Sequence, residues 1–320
     1  MKPNALCVGF AKCGTTTFHD IMSQHKDIYL PKIKEPIYYG DKELVETKGF
    51  EWYEKRYYPQ STSKKTVMEV NPIIGRNVDA SIIKKDYGEN TKIIFLIRHP
   101  VTRTYSEFRM NLVDGTCFEE IENNLGTSTS EMFDEWIKTN FIKEDNKIVL
   151  RDSFATRFCE SGNYYPKIKN YIDTFGKENV KVIFFEDFIK DTRTVCEDVY
   201  NFLGVSNDTN INYDIHSNDG NRLPKSKFTI RANQIWFLKI YKEILIKKFP
   251  YISEDFCKLL NDITWNIPVL LSKPNANKEV ASDYSSEIII KYYYEMLYKL
   301  SELLDEDVFD KWKLEKKLVK

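Results

Sequence analysis

Short apolar runs alternate with amphipathic segments over the N-terminal part of the chain. Runs rich in β-branched and aromatic residues occupy 5–10, 92–100 and 180–188, and a shorter run occupies 65–72. Short continuous apolar runs are typical of strands that are buried on both faces of a parallel sheet. The pattern therefore predicts four central strands.

Segments with helical periodicity separate these runs. They occupy 16–25, 50–58, 78–88, 101–112 and 164–176. Strands that alternate with helices form right-handed crossovers, and the resulting parallel sheet is covered by helices. The expected fold class is α/β, with a central parallel sheet flanked by helices.

The strand pattern fades in the C-terminal part. Residues 192–205 predict a helix that ends at Gly204, and residues 206–227 predict a long polar loop, a feature that is often functional. Helical patterns return at 229–248, 254–262 and 284–304. We find no internal repeat and no low-complexity linker, so we predict a single domain over residues 1–320 with a helical C-terminal part.

Composition and charge exclude several classes of protein. The 320 residues include 47 Lys and Arg against 48 Asp and Glu, a formal net charge of −1, so no global field favours nucleic acid or an anionic membrane. The six cysteines are scattered without a C-x-x-C motif, which argues against a zinc site and a disulfide scaffold. We interpret them as reduced thiols.

The N-terminal residues favour a cytoplasmic location. The chain enters an apolar strand without a charged leader or a cleavage site, and no later run reaches the ~18 apolar residues that a membrane span requires. We therefore expect a cytoplasmic protein without a membrane span, and this favours a bacterial source.

The strongest candidate for chemistry is the segment "VGFAKCGTTT" at 8–17. Gly9 and Gly14 have the spacing of a P-loop, but Thr15 stands where the P-loop lysine belongs, and the lysine is at position 12. A glycine-rich turn that opens a helix offers amide groups and the positive end of a dipole to an anion. A tight turn with threonine caps is the alternative interpretation.

A second candidate follows the strand at 92–97. Arg98 stands at the strand end, Pro100 can open a helix, and Ser106 lies about two turns into that helix. A guanidinium and a hydroxyl suit a phosphate, whereas a magnesium nucleotide site would call for an aspartate at such a strand end. An ion-pair role for Arg98 is the alternative.

These motifs together resemble a known family. Lys12-Cys13-Gly14-Thr15-Thr16, the segment Arg98 to Ser106 and "IKEPIYY" at 33–39 resemble the sulfotransferases that use 3′-phosphoadenosine-5′-phosphosulfate, especially the bacterial and heparan-sulfate branch that acts on carbohydrates. Residues 162–205, 218–228 and 303–312 are similar to further parts of that family. The resemblance implies a P-loop-like fold and no metal requirement.

The resemblance also implies roles for individual residues. Residues around the donor's 5′-phosphosulfate would be Lys12, Cys13, Gly14, Thr15, Thr16 and Thr17. The 3′-phosphate would bind Arg98 and Ser106, and a loop with Arg222, Lys225 and Ser226 would close over the donor. Glu35 would act as the catalytic base, with Lys12 as its catalytic partner on the leaving oxygen.

Two departures from the family pattern bear on the acceptor. Val70 stands where relatives in the heparan-sulfate branch carry a lysine, and His99 stands where an aspartate is usual. The acceptor expected from the resemblance is a hydroxyl of a sugar or glycolipid, and a phenol, sterol or other small molecule is the alternative. Within the same chemistry, the alternative to Glu35 is a histidine base (His19, His25 or His216). The alternatives from other classes are a P-loop kinase or NTPase and an inactive scaffold protein.

Overall fold

The four apolar runs form strands in the structure, a computed structural model that describes residues 2–58, 63–114, 127–145, 147–208, 210–215, 222–224, 272–274 and 279–315. Within these residues the strands are β1 (Ala5–Gly9), β2 (Ile28–Tyr29), β3 (Thr66–Val70), β4 (Lys92–Ile97), β5 (Phe141–Glu144), β6 (Lys147–Leu150), β7 (Val180–Phe184), β8 (Arg222–Pro224) and β9 (Ser272–Pro274).

Helices connect most of these strands. In the described residues they are α1 (Thr15–Met22), α2 (Lys42–Tyr57), α3 (Pro72–Asn77), α4 (Ala80–Tyr87), α5 (Pro100–Asp114), α6 (Thr129–Asn140), α7 (Ser153–Glu160), α8 (Tyr164–Phe175), α9 (Phe185–Lys190), α10 (Thr192–Leu203), α11 (Asp283–Leu304) and α12 (Val308–Lys311). Two short 3₁₀ helices occupy Tyr38–Gly40 and Lys177–Asn179.

The chain divides into two compact units. The first unit comprises Met1–His99, Glu160–Asn218 and Glu295–Lys316. The second unit comprises Pro100–Cys159, Asp219–Tyr294 and Lys317–Lys320.

The first unit contains a parallel sheet of strand order β2-β3-β1-β4-β7. Every residue of β1 and β3 is buried, and β4 is buried except at Lys92, which explains their continuous apolar sequences. Because the strands are parallel, their carboxyl ends lie at one edge of the sheet. Ligands of open α/β sheets bind at that edge.

Close packing fixes α3 against β1. A Cβ atom on Gly75 would lie 1.9 Å from the carbonyl oxygen of Val8, so only glycine permits this approach of helix to strand. The helix begins after Asn71, whose Oδ1 accepts from the amide of Ile73 at 3.1 Å and caps it. The turn between β3 and α3 is thereby held at the carboxyl edge of the sheet.

The second unit includes α5, α6, α7 and two antiparallel strand pairs, β5 with β6 and β8 with β9. A capping box opens α6, where Ser128 and Glu131 bond reciprocally to each other's backbone amides. The rings of Phe133 and Trp136 stack with centroids 6.1 Å apart in its core. Strand β8 contacts α5.

The α/β class with a central parallel sheet and flanking helices is confirmed. The described C-terminal residues 279–315 are mainly helical, and the helices expected at 229–248 and 254–262 lie outside the described residues. The single domain over 1–320 stays a prediction. None of the described helices is long and apolar enough to span a membrane.

Two expectations about local structure are wrong. The run at 180–188 is a strand only to Phe184, because Glu186 and Asp187 favour the positive end of a helix dipole and α9 begins at Phe185. The polar segment 206–227 is not loop throughout, because residues 222–224 form β8 and pair with β9. The hydrophobic pattern did not predict the helices α3, α6 and α7 or the short strands β2, β5 and β6.

Candidate functional site

The turn between β1 and α1 requires glycine at position 14. Gly14 is the N-cap of α1 with φ of 87°, a left-handed conformation that L side chains rarely adopt. A Cβ atom there would also lie 2.8 Å from Cδ2 of Phe185. The positive φ and the close approach of Phe185 therefore each disfavour any residue other than glycine at position 14.

The start of α1 forms a candidate anion site. The helix begins at Thr15, and amide groups in the first turn of a helix point out of its N-terminus, where the positive end of the dipole lies. Thr15 is buried, and Thr16 and Thr17 are half-buried. This end of the helix can hold an anionic group next to threonine hydroxyls.

Arg98 lies beside this loop. Its guanidinium donates to the carbonyl oxygen of Lys12 at 3.1 Å and lies over the ring of Phe185, 4.5 Å from the centroid. Its backbone carbonyl accepts a hydrogen bond from the hydroxyl of Tyr164 at 2.7 Å. The end of β4 is thus joined to the loop after β1, and Lys12 has φ of 67° in that loop.

Cys13 contributes to the shape of the loop. Its side chain is fully buried, with Sγ 3.8 Å from the hydroxyl oxygen of Tyr164. Its backbone amide donates to the carbonyl of Phe10 at 3.2 Å, which closes the turn. These contacts help to shape the loop, and the place of Cys13 next to the donor stays a prediction.

Glu35 and Lys34 lie close to the start of α1. The Lys34 ammonium donates to Thr16 Oγ1 at 2.6 Å and lies 3.3 Å from Glu35 Oε1. The side chains of Lys34 and Glu35 are 24% and 21% exposed, so water still reaches both. The segment after β2 thereby brings the Lys34–Glu35 ion pair to the helix N-terminus, with Lys34 in contact with both Glu35 and Thr16.

The residue after Arg98 lies in an aromatic environment. Burial lowers the pKa of His99, the positive charge of Arg98 acts in the same direction, and Glu186 opposes both. The His99 ring centroid lies 6.1 Å from that of Trp312, whose indole N–H donates to Glu186 at 3.0 Å. The backbone amide of His99 also donates to Glu186, at 2.9 Å. His99 thus packs into the first unit.

Two other histidines have structural partners. His25 is buried, with Nε2 2.8 Å from the Ser206 carbonyl and Nδ1 accepting from the Asp27 amide at 3.1 Å. His19 Nδ1 lies 3.0 Å from Asp20 Oδ1. His216 lies outside the described residues. Both ring nitrogens of His25 are thus bonded to backbone groups, and the identity of the base stays a prediction.

Four predicted site residues stay predictions, because two belong to the second unit and two lie outside the described residues. Ser106 belongs to α5 in the second unit, and Arg222 is the first residue of β8, which contacts α5. Lys225 and Ser226 lie outside the described residues. Among the described residues no group of three or more His, Cys, Asp or Glu could hold a metal ion.

Sequence reasoning missed the residues that support the site. Tyr164 and Phe185 hold Arg98, and Asn71 donates from Nδ2 to the carbonyl of Pro36 at 2.9 Å. Phe185 directly follows β7 and Asn71 directly follows β3, at the carboxyl ends of parallel strands. That position is the signal that would have identified them.

Chemically, the site combines a candidate anion site with a carboxylate. The α1 N-terminus and Arg98 suit phosphate or sulfate oxygens, and Glu35 can accept a proton from a group close to Thr16. The arrangement fits the transfer of an anionic group to a hydroxyl.

Comparisons with known proteins give the class. A family model described as "Sulfotransferase domain" matches residues 2–219. The chain therefore belongs to the sulfotransferase-domain family.

Two individual proteins illustrate the similarity. A membrane-associated sulfotransferase of Dictyostelium discoideum, kil1, is 28% identical over 112 residues, which is 34% of this chain and 23% of that protein. A crystal structure of a sulfotransferase from Alicyclobacillus acidocaldarius is 21% identical with a TM-score of 0.56, covering 98% of this chain and 99% of that chain. The match to the curated relative thus takes in less than a quarter of that protein, and the second comparison supports the fold.

Proposed function

We propose that the protein transfers the sulfuryl group of 3′-phosphoadenosine-5′-phosphosulfate to a hydroxyl of a carbohydrate or glycolipid. The observation that carries the proposal is the hydrogen bond of 2.6 Å from Lys34 to Thr16, with Glu35 3.3 Å from the same ammonium. It supports a base next to the anion site. Family membership supports the reaction class.

The residues present fit such a donor. Gly14 leaves the loop without a side chain at the helix start, the dipole of α1 favours the 5′-phosphosulfate, and Arg98 suits the separate 3′-phosphate. Ser106 and Arg222 remain the proposed further contacts to the 3′ side, together with Lys225 and Ser226. No residue in this assignment needs a metal ion.

In the proposed mechanism Glu35 takes the proton of the acceptor hydroxyl while that oxygen attacks sulfur. A new S–O bond forms, and the bond between sulfur and the bridging oxygen of the 5′-phosphate breaks. Lys12 neutralises the charge that grows on the leaving bridging oxygen, and the amides of α1 hold the phosphate. The products are the sulfated acceptor and 3′-phosphoadenosine-5′-phosphate.

The donor is tested by thermal-shift titration. At about 100 times its Kd a ligand adds about 2.7 kcal/mol of stability, which moves the midpoint by several degrees. We expect 3′-phosphoadenosine-5′-phosphate to stabilise the wild type without metal and Arg98→Ala to lose most of this effect. Stabilisation by ATP with magnesium alone would instead indicate a P-loop kinase or NTPase.

The acceptor and the base are tested by transfer from radiolabelled donor. The acceptors are N-acetylglucosamine, octyl β-D-glucoside, 2-naphthol and cholesterol, and the variants are Glu35→Gln and, as a matched control, Glu46→Gln on the exposed face of α2. We expect the sugars to be sulfated, and only Glu35→Gln to abolish most turnover. Sulfation of 2-naphthol or cholesterol alone would overturn the carbohydrate assignment.

A further inference from the structure

A buried carboxylate is linked by hydrogen bonds to the segment that carries the proposed base. Glu69 is fully buried in β3 and burial raises its pKa, although four side chains donate hydrogen bonds to it. Oε2 accepts from the hydroxyls of Tyr53, Tyr58 at 2.8 Å and Tyr87 at 3.2 Å. Such a group is costly in a core unless every lone pair is satisfied, so this cluster is built around the carboxylate.

Asn71 connects this carboxylate to the segment that contains Glu35. Its Nδ2 group donates one hydrogen to Glu69 Oε1 at 3.0 Å and one to the Pro36 carbonyl at 2.9 Å. Its Oδ1 accepts from the amide of Ile73, and its own amide donates to the carbonyl of Cys7 at 2.9 Å. Together these bonds fix the side-chain carboxamide of Asn71 in one orientation.

The Glu35 backbone requires such an anchor. Glu35 has φ of 55°, a left-handed conformation that is unfavourable for an L residue with a Cβ atom and persists only where the surroundings hold it. Pro36 has no N–H to donate, so its carbonyl is the nearest backbone group after Glu35 that a hydrogen bond can hold. Asn71 supplies that bond.

We infer that Glu69 and Asn71 are positioning residues that hold Glu35 in its left-handed conformation and thereby aim its carboxylate at the acceptor hydroxyl. This inference rests on the proposed role of Glu35 as the base. Neither residue exchanges a proton or contacts the donor in this scheme. Their effect is on the rate of the transfer step and not on the affinity for the donor.

The test uses Asn71→Ser. Serine keeps a side-chain oxygen that can cap α3 but lacks the amide that bridges Glu69 to Pro36. The matched control is Asn77→Ser, the same change at the exposed end of the same helix. Turnover is measured with radiolabelled donor and whichever of N-acetylglucosamine and octyl β-D-glucoside is sulfated faster.

We expect Asn71→Ser to lower kcat on the order of tenfold to a hundredfold, as misplacement of a catalytic group does. The Kd for 3′-phosphoadenosine-5′-phosphate should stay within about twofold of the wild type, since reduced turnover with intact donor binding is the pattern of a misplaced base. Asn77→Ser should change neither quantity. A parallel loss of donor affinity in Asn71→Ser would overturn the inference.

A double-mutant cycle separates positioning from general support. If Asn71 acts through Glu35, Asn71→Ser combined with Glu35→Gln loses no more turnover than Glu35→Gln alone. Losses that multiply would overturn the inference. Should Asn71→Ser fail to fold, Tyr58→Phe takes its place in the same cycle, because it removes one donor to Glu69 and keeps the ring.

The same cycle distinguishes the two levels of the proposal. Wild-type turnover in Glu35→Gln would overturn the base assignment and the inference together. Reduced turnover in Glu35→Gln with wild-type turnover in both Asn71→Ser and Tyr58→Phe would overturn only the inference. Faster hydrogen exchange of the amides of residues 33–40 in Asn71→Ser, but not in Asn77→Ser, would support it directly.

Discussion

Lys34 and Thr16 are joined by a hydrogen bond of 2.6 Å between the ammonium and Oγ1, although they lie 18 positions apart in the chain. The bond joins the segment after β2 to the first turn of α1. Because Lys34 also lies 3.3 Å from Glu35, one cation is shared between a carboxylate and the helix end that is proposed to hold an anion. This geometry makes Lys34 a testable part of the site.

Lys34→Met should lower turnover by at least about tenfold, because it removes a positive charge from the place where negative charge develops in the transfer step. The side chain of methionine keeps much of the apolar stem, so stability should change little. Lys32→Met is the matched control, since Lys32 is exposed in the same segment. Equal rates for both variants, measured by product release from the donor, would contradict a role for Lys34.

The buried His99 should make stability depend on pH. Its pKa lies below the ordinary value of 6.5 in the folded protein, chiefly because of burial, so the unfolded chain binds the proton more tightly. The contribution of the neutral His99 to the free energy of unfolding is therefore complete above about pH 6.5, and it is lost as the pH falls from there towards the lowered pKa. Above that window His99 adds no pH dependence.

His99→Asn removes this titration, so its thermal midpoint should fall less than that of the wild type between about pH 7.5 and pH 5.5. The comparison of two proteins cancels groups that titrate in both, including Glu69, whose raised pKa acts in the opposite direction. Identical pH dependence in the two proteins would show that His99 keeps its ordinary pKa.

The contact between α3 and β1 predicts a steric effect on stability. Gly75→Ala would place a Cβ atom 1.9 Å from the Val8 carbonyl oxygen, and the backbone of helix or strand must shift. We expect a loss of at least about 1–3 kcal/mol of unfolding free energy. Urea denaturation measures this loss. Unchanged m-values would show that the native and unfolded states of the variant remain comparable to those of the wild type.

Gly40→Ala is the control for that measurement. Its Cβ atom would meet Ile73 Cγ2 at 3.4 Å, which is at the edge of ordinary van der Waals contact, so the change should stay within about 0.5 kcal/mol. Similar losses for both variants would show that α3 can move away from β1.

The sequence predicted the sheet better than the surroundings of the site. Continuous apolar runs identify buried strands. The loop that follows β1 ends in Gly14, and β4 is followed by Arg98, so a glycine and a charge stand out directly after these apolar runs. Tyr164 has no such feature, because its importance comes from its hydrogen bond to Arg98, far away in the chain. Asn71 is marked in the sequence only by its position directly after β3, and its hydrogen bond to Pro36 is visible only in the structure.

Some helix boundaries were also hard to predict from the sequence, because neighbouring residues favour different secondary structures. Phe185 continues an apolar run, and only the following Glu186 and Asp187 show why the chain turns helical there. The capping box of Ser128 and Glu131 was a usable signal for α6 that the apolar pattern alone did not reveal. The pairing of β8 with β9 joins residues some 50 positions apart, which no local pattern predicts.

Gly14→Ala should cost more stability than Gly204→Ala. Both glycines have positive φ, 87° and 71°, so both alanine variants pay about 1–2 kcal/mol for a left-handed backbone. Only at position 14 does the new Cβ also meet a neighbour, Phe185 at 2.8 Å, whereas nothing lies within 4 Å at position 204. The difference between the two losses therefore measures the clash with Phe185.

A smaller side chain at position 185 should remove that difference. In a Phe185→Leu background the cost of Gly14→Ala should fall to that of Gly204→Ala, as measured by urea denaturation of the single and double variants. Affinity for 3′-phosphoadenosine-5′-phosphate should fall in Gly14→Ala but stay unchanged in Gly204→Ala, because only the first changes the start of α1. An equal effect of both variants on affinity would mean that the loop before α1 does not hold the donor.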